Sequence, residues 1–315
     1  MTDGPSFVTN NAMIVAPSDR TVDRHYLYFA LSAANMATVT TGTSQPQITI
    51  GRLSQLPIRL PPHREQRRIG GILLALQNAH NAAGTVASAG RATKDAVVRQ
   101  LFRYGPTRLS NLSTVKSQET SYGTFPSHWE IRTIGEIADT TSGGTPDRGR
   151  SDYYEGTLPW VKSGELRDRE IAGTSEAISD EALASSNAKT FPSGTLLMAM
   201  YGATAGMLGI LTIPAATNQA VCALIPTGVS RDYLYYALLL RRNALLGERI
   251  GGAQPNLSQR LIRAFSIPVP PAHEQDEIAR ILRATDGWLR AMESRTSAVS
   301  SVFSAALDTL FRAAS

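Results

Sequence analysis

Leu60-Pro61-Pro62-His63-Arg64-Glu65-Gln66 returns 209 residues later as Val269-Pro270-Pro271-Ala272-His273-Glu274-Gln275. Working outward, Thr43-Ser44-Gln45-Pro46-Gln47-Ile48 matches Gly252-Ala253-Gln254-Pro255-Asn256-Leu257 at the same offset. The stretches that follow the prolines also end alike, in Leu101-Phe102-Arg103 and Leu310-Phe311-Arg312. A repeat of that length, aligned without a gap, is a duplicated domain rather than a short solenoid unit. Duplication suggests one job done at two similar sites.

Proline removes a backbone donor and restrains its predecessor, so each Pro-Pro closes one segment and opens another. Beyond it the periodicity is helical. Ile69, Leu73, Leu76, His80, Ala83, Ala87, Gly90, Lys94, Val97 and Leu101 follow a four-three spacing, as do Ile278, Leu282, Thr285, Leu289, Met292, Thr296, Val299, Phe303, Ala306 and Leu310. Such spacing is the seam of a coiled coil, on helices about 60 Å long at 1.5 Å per residue. The first seam is small in its middle (Ala83, Ala87, Gly90) and the second is bulky there (Leu289, Met292, Val299). Antiparallel pairing sets Ile69 by Leu310, Leu76 by Phe303, Ala87 by Met292 and Gly90 by Leu289, large against small. His80 and Lys94 fall on the weak seam and are expected at its edge or snorkelling out of it. The acids Glu65 and Glu274 suit the first turn of each helix.

The chain has 315 residues, 42% of them hydrophobic, enough for two ordinary domains with real cores. Cys222 is the only cysteine, which excludes an intramolecular disulfide and fits a reducing compartment. The start has no basic region followed by an apolar run. The most apolar stretch, 196–213, carries three glycines and two threonines and reads as strands and turns. These features lead us to expect a soluble, cytoplasmic protein with no membrane contact. The net charge is +5 and unevenly spread: residues 64–125 carry nine Lys/Arg against three Asp/Glu, residues 126–272 thirteen against fourteen. The basic excess on the first helical segment suits either a solvated face or contact with a polyanion.

Along the chain, Asn11–Ala16 reads as a strand, and His25–Leu31 begins a helix opened near Ser18 or Asp19, with Tyr233–Leu238 as its repeat partner. The expected divisions are 1–63, a long helix over 64–103, a linker over 104–128, a second domain over 129–272 and a second long helix over 273–312. Within the second domain, strands are expected at Leu158–Val161 and Leu196–Met200, and a helix at Asp232–Leu246.

Trp129-Glu130-Ile131 with Ile134-Gly135-Glu136-Ile137, Ser142-Gly143-Gly144-Thr145-Pro146, Leu158–Leu166, Leu196–Gly206 and Thr217-Asn218-Gln219-Ala220, followed by the Pro-Pro phrase and a long helix, resemble the specificity subunits of type I restriction-modification enzymes. The likeness covers 129–312 in full and 8–103 in part. It implies an α/β fold: target recognition domains of mixed type, each followed by a long helix, the two helices paired as an antiparallel coiled coil. Subtracting 209 from 129 gives −80, so residues 1–63 are expected to be the distal part of a first recognition domain, with roughly eighty residues lacking a counterpart. By resemblance the subunit reads a half-site of a bipartite sequence in double-stranded DNA. Its helices would fix the separation of the two half-sites. It docks methyltransferase (M) subunits, which use S-adenosylmethionine, and a restriction (R) subunit, which uses ATP. It is itself non-catalytic and holds no cofactor. An alternative is a non-reading assembly module, or recombination cassette, that binds methyltransferase subunits only.

The residues agree. No Gly-Lys-Ser/Thr phosphate loop and no Asn/Asp-Pro-Pro-aromatic methyltransferase motif occurs. The five histidines and one cysteine are scattered, so no metal site is expected. DNA reading needs polar side chains on loops that reach base edges, with phosphate contacts fixing register. Gly143, Gly144 and Thr145, and Tyr201, Gly202 and Thr204, offer backbone amides and small side chains for close approach. Lys162, Ser163 and Glu165 follow a strand end. Gln254 and Asn256 carry amides that can pair with adenine. Against these stand structural readings: turn glycines serve backbone geometry, Gln254 and Asn256 cap a helix opening near Leu257, and Tyr201 and Trp160 belong to the core.

Overall fold

A computed structural model describes residues 12–17, 20–42, 45–247 and 256–312. Contacts divide the chain into two compact units: unit 1 is 1–93 with 287–315, and unit 2 is 94–286.

Unit 1 holds α1 (Arg24–Ala33), the two-residue strands β1 (Thr40–Thr41) and β2 (Gln47–Ile48), the short α2 (Ile50–Leu53), and most of the long α3 (His63–Tyr104). The strand expected over 11–16 is absent from its described part: 12–17 carries no regular structure, and Ile14 is 76% exposed. An apolar run forms a strand only beside a partner, and none lies beside it among the described residues. Ser18 and Asp19 lie outside the described residues; α1 is capped instead by Asp23, whose Oδ1 accepts from His25 N and Tyr26 N at 3.0 Å each.

Unit 2 opens with the hairpin β3 (Ser117–Thr120) and β4 (Gly123–Pro126), so the expected linker over 104–128 is partly built, with Phe125 buried. Then come β5 (Glu130–Thr133), α4 (Ile134–Ile137), β6 (Ala138–Ser142), β7 (Leu158–Val161), β8 (Arg169–Ile171), β9 (Glu176–Ile178), α5 (Asp180–Ala184) and β10 (Lys189–Phe191). They are followed by β11 (Leu196–Ala199), β12 (Leu208–Leu211), β13 (Ala215–Thr217), β14 (Val221–Pro226), α6 (Arg231–Gly247), α7 (Gln259–Ala264), β15 (Ser266–Val269) and α8 (Ala272–Leu307). One sheet runs β6-β14-β11-β12-β8, a second β10-β13-β7-β9, and β15 pairs with β5. Strand β11 lies between two layers, and its period of two sorts its side chains. Leu196 and Met198, with Met200 beyond the strand, join a core with Tyr233, Leu234, Ile262, Ile278 and Leu282 from the helices; Leu197 and Ala199 join Val161, Phe191 and Ala215 on the other face. A strand buried on both faces reads as a continuous apolar run, which is why 196–200 looked as it did. Each fully buried aliphatic side chain there stabilises by about 1.5–3 kcal/mol.

The long helices contribute to both units. In unit 1, a Cβ on Gly90 would stand 3.0 Å from Trp288 and 3.2 Å from Leu289, and Thr296 Oγ1 donates to Ala83 O at 3.2 Å. Both contacts keep the residue-number sum that the large-against-small spacing sets: 90 plus 289 and 83 plus 296 each give 379. His80 stacks on Phe303, with centroids 6.4 Å apart, and Phe303 also meets Phe29 of α1. In unit 2, Lys94 does not snorkel into solvent but pairs with Asp286 at 2.6 Å. There α3 ends on the core, Phe102 stacking on Tyr233 at 5.6 Å.

The duplication is visible as one joint made twice. Gln66 Oε1 accepts from Asp23 N at 2.9 Å and its Nε2 donates to Pro61 O at 2.8 Å; Gln275 Oε1 accepts from Ser230 N at 2.7 Å and its Nε2 donates to Pro270 O at 2.8 Å. Tyr26 Oη donates to Arg59 O at 2.7 Å, and Tyr233 Oη to Pro268 O at 2.6 Å. Both glutamines are buried. The offset is 209 for the glutamines (275 minus 66) and 207 for the tyrosines (233 minus 26), so two residues separate the α1 and α6 registers from the rest of the repeat.

Candidate nucleic-acid interface

In unit 2 several strands end on one rim. Strands β7 and β13 are parallel, with Val161 opposite Thr217, so Lys162 and Asn218 emerge together, Asn218 N donating to Val161 O at 3.0 Å. Gly144 N donates to Thr217 O, also at 3.0 Å, which brings in the 143–146 turn. Thr145 Oγ1 then hydrogen-bonds Gln219 Oε1. Met200 N donates to Ala220 O, Tyr201 bridges to Asn256, and Leu257 N donates to Met200 O. The single-turn helices Ser163–Glu165 and Gly202–Thr204 lie against each other.

The rim thus gathers Thr145, Lys162, Ser163, Glu165, Tyr201, Gly202, Thr204 and Asn256, while Gly143 and Gly144 are buried beneath it. A Cβ on Gly143 would overlap the Thr217 carbonyl, so that glycine serves close backbone approach. Gly202 has φ of +75°, the left-handed region, with open space where a side chain would stand. Trp160 is core, 1% exposed, its Nε1 donating to Gly144 O at 3.1 Å; Tyr201 is not core, at 41% exposure. Neither amide of the Gln-Pro-Asn phrase caps a helix among the described residues: Ser258 caps α7, accepting from Leu261 N, Asn256 sits in the bridge, and Gln254 lies outside the described residues.

Charge on the rim is largely engaged. Lys162 Nζ pairs with Glu176, which also takes Arg148 at 2.8 Å. The hydrogen bond from Lys162 chiefly holds the Glu176 carboxyl below the usual carboxylate range, partial burial opposes it, and Arg148 adds to it. Glu165 accepts from Lys162 N at 2.8 Å and Ser175 N at 2.7 Å. Beside it opens a polar hollow of about 480 Å³ lined by Gly164, Glu165, Arg167, Arg169, Glu170 and Gly173. Sequence reasoning did not single out Gln219, which the structure brings against Thr145; its position two residues beyond a strand, next to Asn218, was the available signal. Nor did it single out Arg167 and Arg169, which line the polar hollow and which no motif marks. Among the described residues there is no group of three or more His, Cys, Asp or Glu side chains placed to hold a metal ion. Among the described residues, no helix is long and apolar enough to cross a membrane.

Residues 1–84 and 126–299 match the family of the type I restriction modification DNA specificity domain, and the chain belongs to that family. A stretch of 175 residues is 30% identical to the type I restriction enzyme MjaIX specificity subunit of Methanocaldococcus jannaschii, covering 54% of this chain and 40% of that protein. A stretch of 164 residues is 26% identical to the EcoR124I/EcoR124II specificity subunit of Escherichia coli, covering 50% and 41%. The matched part thus spans about two fifths of those relatives. The crystal structure of a type I restriction-modification S subunit from M. genitalium superposes with a TM-score of 0.62 at 19% identity, over 93% of this chain and 73% of that one. A structure described as the basis of complex assembly and conformational transition of the type I R-M system gives 0.54 at 20% identity, over 93% and 72%. These likenesses establish the fold, a mixed α/β architecture with long helices.

Proposed function

We propose that the chain is a non-catalytic DNA-specificity subunit of a type I restriction-modification complex, and that the unit 2 rim reads one half-site of a bipartite target. The observation that carries this reading is the convergence of Thr145, Ser163, Gln219, Tyr201 and Asn256 on the ends of β7, β11 and β13. Hydroxyls and carboxamides are the groups that read base edges, and strand ends hold them rigidly. The Thr145 hydroxyl donates to Gln219 Oε1, which orients that carboxamide and leaves its N–H donors free for a base edge. Arg167, Arg169 and Lys189, all exposed, would contact phosphate and set register. Lys162 acts through its ion pair with Glu176, shaping the rim more than touching DNA.

Methyltransferase and restriction subunits are the partners this reading implies; the relatives' names, specificity subunits of type I restriction enzymes, support a place in a multisubunit enzyme. For the methyltransferase we favour the unit 1 face of the paired helices. An apolar hollow of about 350 Å³ lies there among Ala79, Ala83, Val86, Met292, Thr296 and Val299, on helices that also expose Ile72 and Val302.

The test is a complex with methyltransferase subunits, selected against a randomised duplex library and then titrated with single-base variants of the selected half-site. Gln219→Ala should lower discrimination at one base pair by about 10- to 100-fold, the size of one bidentate contact. Arg169→Ala should weaken all sequences alike and flatten the salt dependence. Methyltransferase capture without any sequence-selective DNA retention would sink the reading and favour the non-reading assembly module.

A further inference from the structure

The segment Pro146-Asp147-Arg148-Gly149-Arg150 follows the rim residue Thr145 and carries two arginines. Asp147 closes it as a turn: its carbonyl accepts from Arg150 N at 3.2 Å, and its Oδ1 from Gly149 N at 2.9 Å. Both guanidinium groups lie over tyrosine rings, Arg148 at 4.2 Å from the Tyr154 centroid and Arg150 at 4.4 Å from that of Tyr153. Their donors are engaged differently. Arg150 turns its Nε and Nη2 edge onto Asp152, at 2.9 and 2.5 Å, and Nη2 also reaches Glu181 at 3.2 Å. Arg148 gives Nη1 alone, to Glu176 at 2.8 Å. Its Nε and Nη2 donate to nothing among the described residues, and its side chain is 53% exposed.

The rings under Arg148 are themselves fixed. Tyr154 Oη donates to Pro146 O at 2.7 Å. Trp160, whose centroid lies 5.0 Å from the same guanidinium, is buried and donates from Nε1 to Gly144 O at 3.1 Å. Two ring faces attract the cation and one carboxylate takes a corner of it, so the group is held in orientation. Glu176 also takes Lys162, which ties Arg148 to the rim and leaves one positive charge in excess over that carboxylate. The exposed Arg167 and Arg169 are held less: Arg167 donates to the carbonyl of its own neighbour, Leu166, and Arg169 makes no side-chain bond among the described residues. A phosphate accepts donors from many directions, whereas a base edge takes a fork that lies in its own plane.

We infer that Arg148 reads a guanine of the half-site, its Nε and Nη2 donating to O6 and N7 in the major groove. This deepens, and rests on, the reading of DNA by the unit 2 rim. A guanidinium carries donors only. It therefore fits the base whose major-groove edge sets two acceptors side by side, and not adenine, which sets one acceptor beside the N6 donor.

The full chain, in complex with methyltransferase subunits, is selected against a randomised duplex library, and each guanine of the selected half-site is replaced in turn by 7-deazaguanine, which lacks the N7 acceptor. One replacement should weaken binding of the parent about tenfold and leave Arg148→Ala unaffected, since that variant no longer makes the bond. Arg148→Ala and Arg148→Lys should both lose discrimination against adenine at that position by about 10- to 100-fold, because lysine keeps the charge without the fork. Arg150→Ala should keep the selected sequence. A uniform loss over all sequences with a flatter salt dependence would make Arg148 a phosphate contact. Unchanged preference at every position, whatever the melting temperature, would make it a structural tie. A half-site without guanine, or a 7-deazaguanine cost equal in parent and variant, would show that it reads no base. Each of these overturns the inference and leaves DNA reading by the rim standing, whereas a library that yields no consensus sinks both.

Discussion

Replacing Gln275 by alanine tests the joint on which unit 2 is built. The side chain is 4% exposed and makes two bonds, accepting from Ser230 N at 2.7 Å and donating to Pro270 O at 2.8 Å. Alanine reaches neither, so the N–H that precedes α6 and the carbonyl that precedes α8 both lose their partner away from bulk water. Each such loss costs about 1–3 kcal/mol. Part of the second is recovered because a carbonyl tolerates a missing partner better than an amide, so the net destabilisation should be about 3 kcal/mol. With a urea slope of about 2 kcal/mol per molar, the unfolding midpoint of unit 2 falls by about 1.5 M. Tryptophan fluorescence is a suitable assay, since Trp129 and Trp160 are buried in unit 2 while Trp288, in unit 1, is 44% exposed and changes little on unfolding. Gln66→Ala removes the matching bonds in unit 1 and should leave this transition in place. A midpoint shift below about 0.3 M for Gln275→Ala, or an equal shift for both variants, would refute the idea that these amides are separate, equivalent ties.

Three further outcomes follow from the site. Gly143→Ala drives a methyl into the Thr217 carbonyl, so calorimetry should find unit 2 destabilised by at least about 2 kcal/mol; an unchanged melting temperature would show that the turn can move aside. Cys222 is buried and its thiol is pushed up to about 12, so Ellman's reagent at mildly alkaline pH should label it only after denaturant is added, and rapid labelling of the folded chain would contradict its place in the core. Glu176 has a lowered pKa because Lys162 and Arg148 favour its carboxylate. The stabilisation is therefore present above its unfolded pKa and lost as pH falls through the lower folded one. The stability gap between the parent and Glu176→Gln should narrow on acidification, and a gap that widened would reverse the assignment.

Much of this architecture was legible because it is written in periodicity. The four-three spacing marks both long helices, and the contacts of Gly90 with Leu289 and of Ala83 with Thr296 agree with the register expected from setting large residues against small ones. The apolar run at 196–200 marked a strand because β11 is covered on both faces. Residues 12–16 show where local reading stops. Their pattern resembles that of β14, but a strand is a relation between chains, and β6 and β11 have no counterpart beside them among the described residues. The grouping of the candidate residues was legible in part. Thr145, Tyr201 and Asn256 converge, yet nothing local announced that Lys162 would be held by Glu176, fourteen residues on, or that Gln219 would meet Thr145, seventy-four residues back.

The same comparison separates what the duplication preserves from what it leaves free. Gln66 and Gln275, Tyr26 and Tyr233, and the two Pro-Pro pairs are all engaged in tying a helix and an extended segment to the first turn of a long helix. The glutamine and tyrosine side chains are buried and bonded inside the fold, so they present nothing to a base and cannot be what distinguishes one target from another. Gly143 and Gly144 fall on that side of the line too, spent on backbone approach. What remains is the rim, where Ser163, Tyr201, Gln219 and Asn256 lie at or just beyond strand ends and are at least partly exposed. If discrimination resides there, exchanging rim residues should change the half-site while urea stability holds, and exchanging joint residues should lower stability while leaving the preferred sequence of the surviving folded protein unchanged.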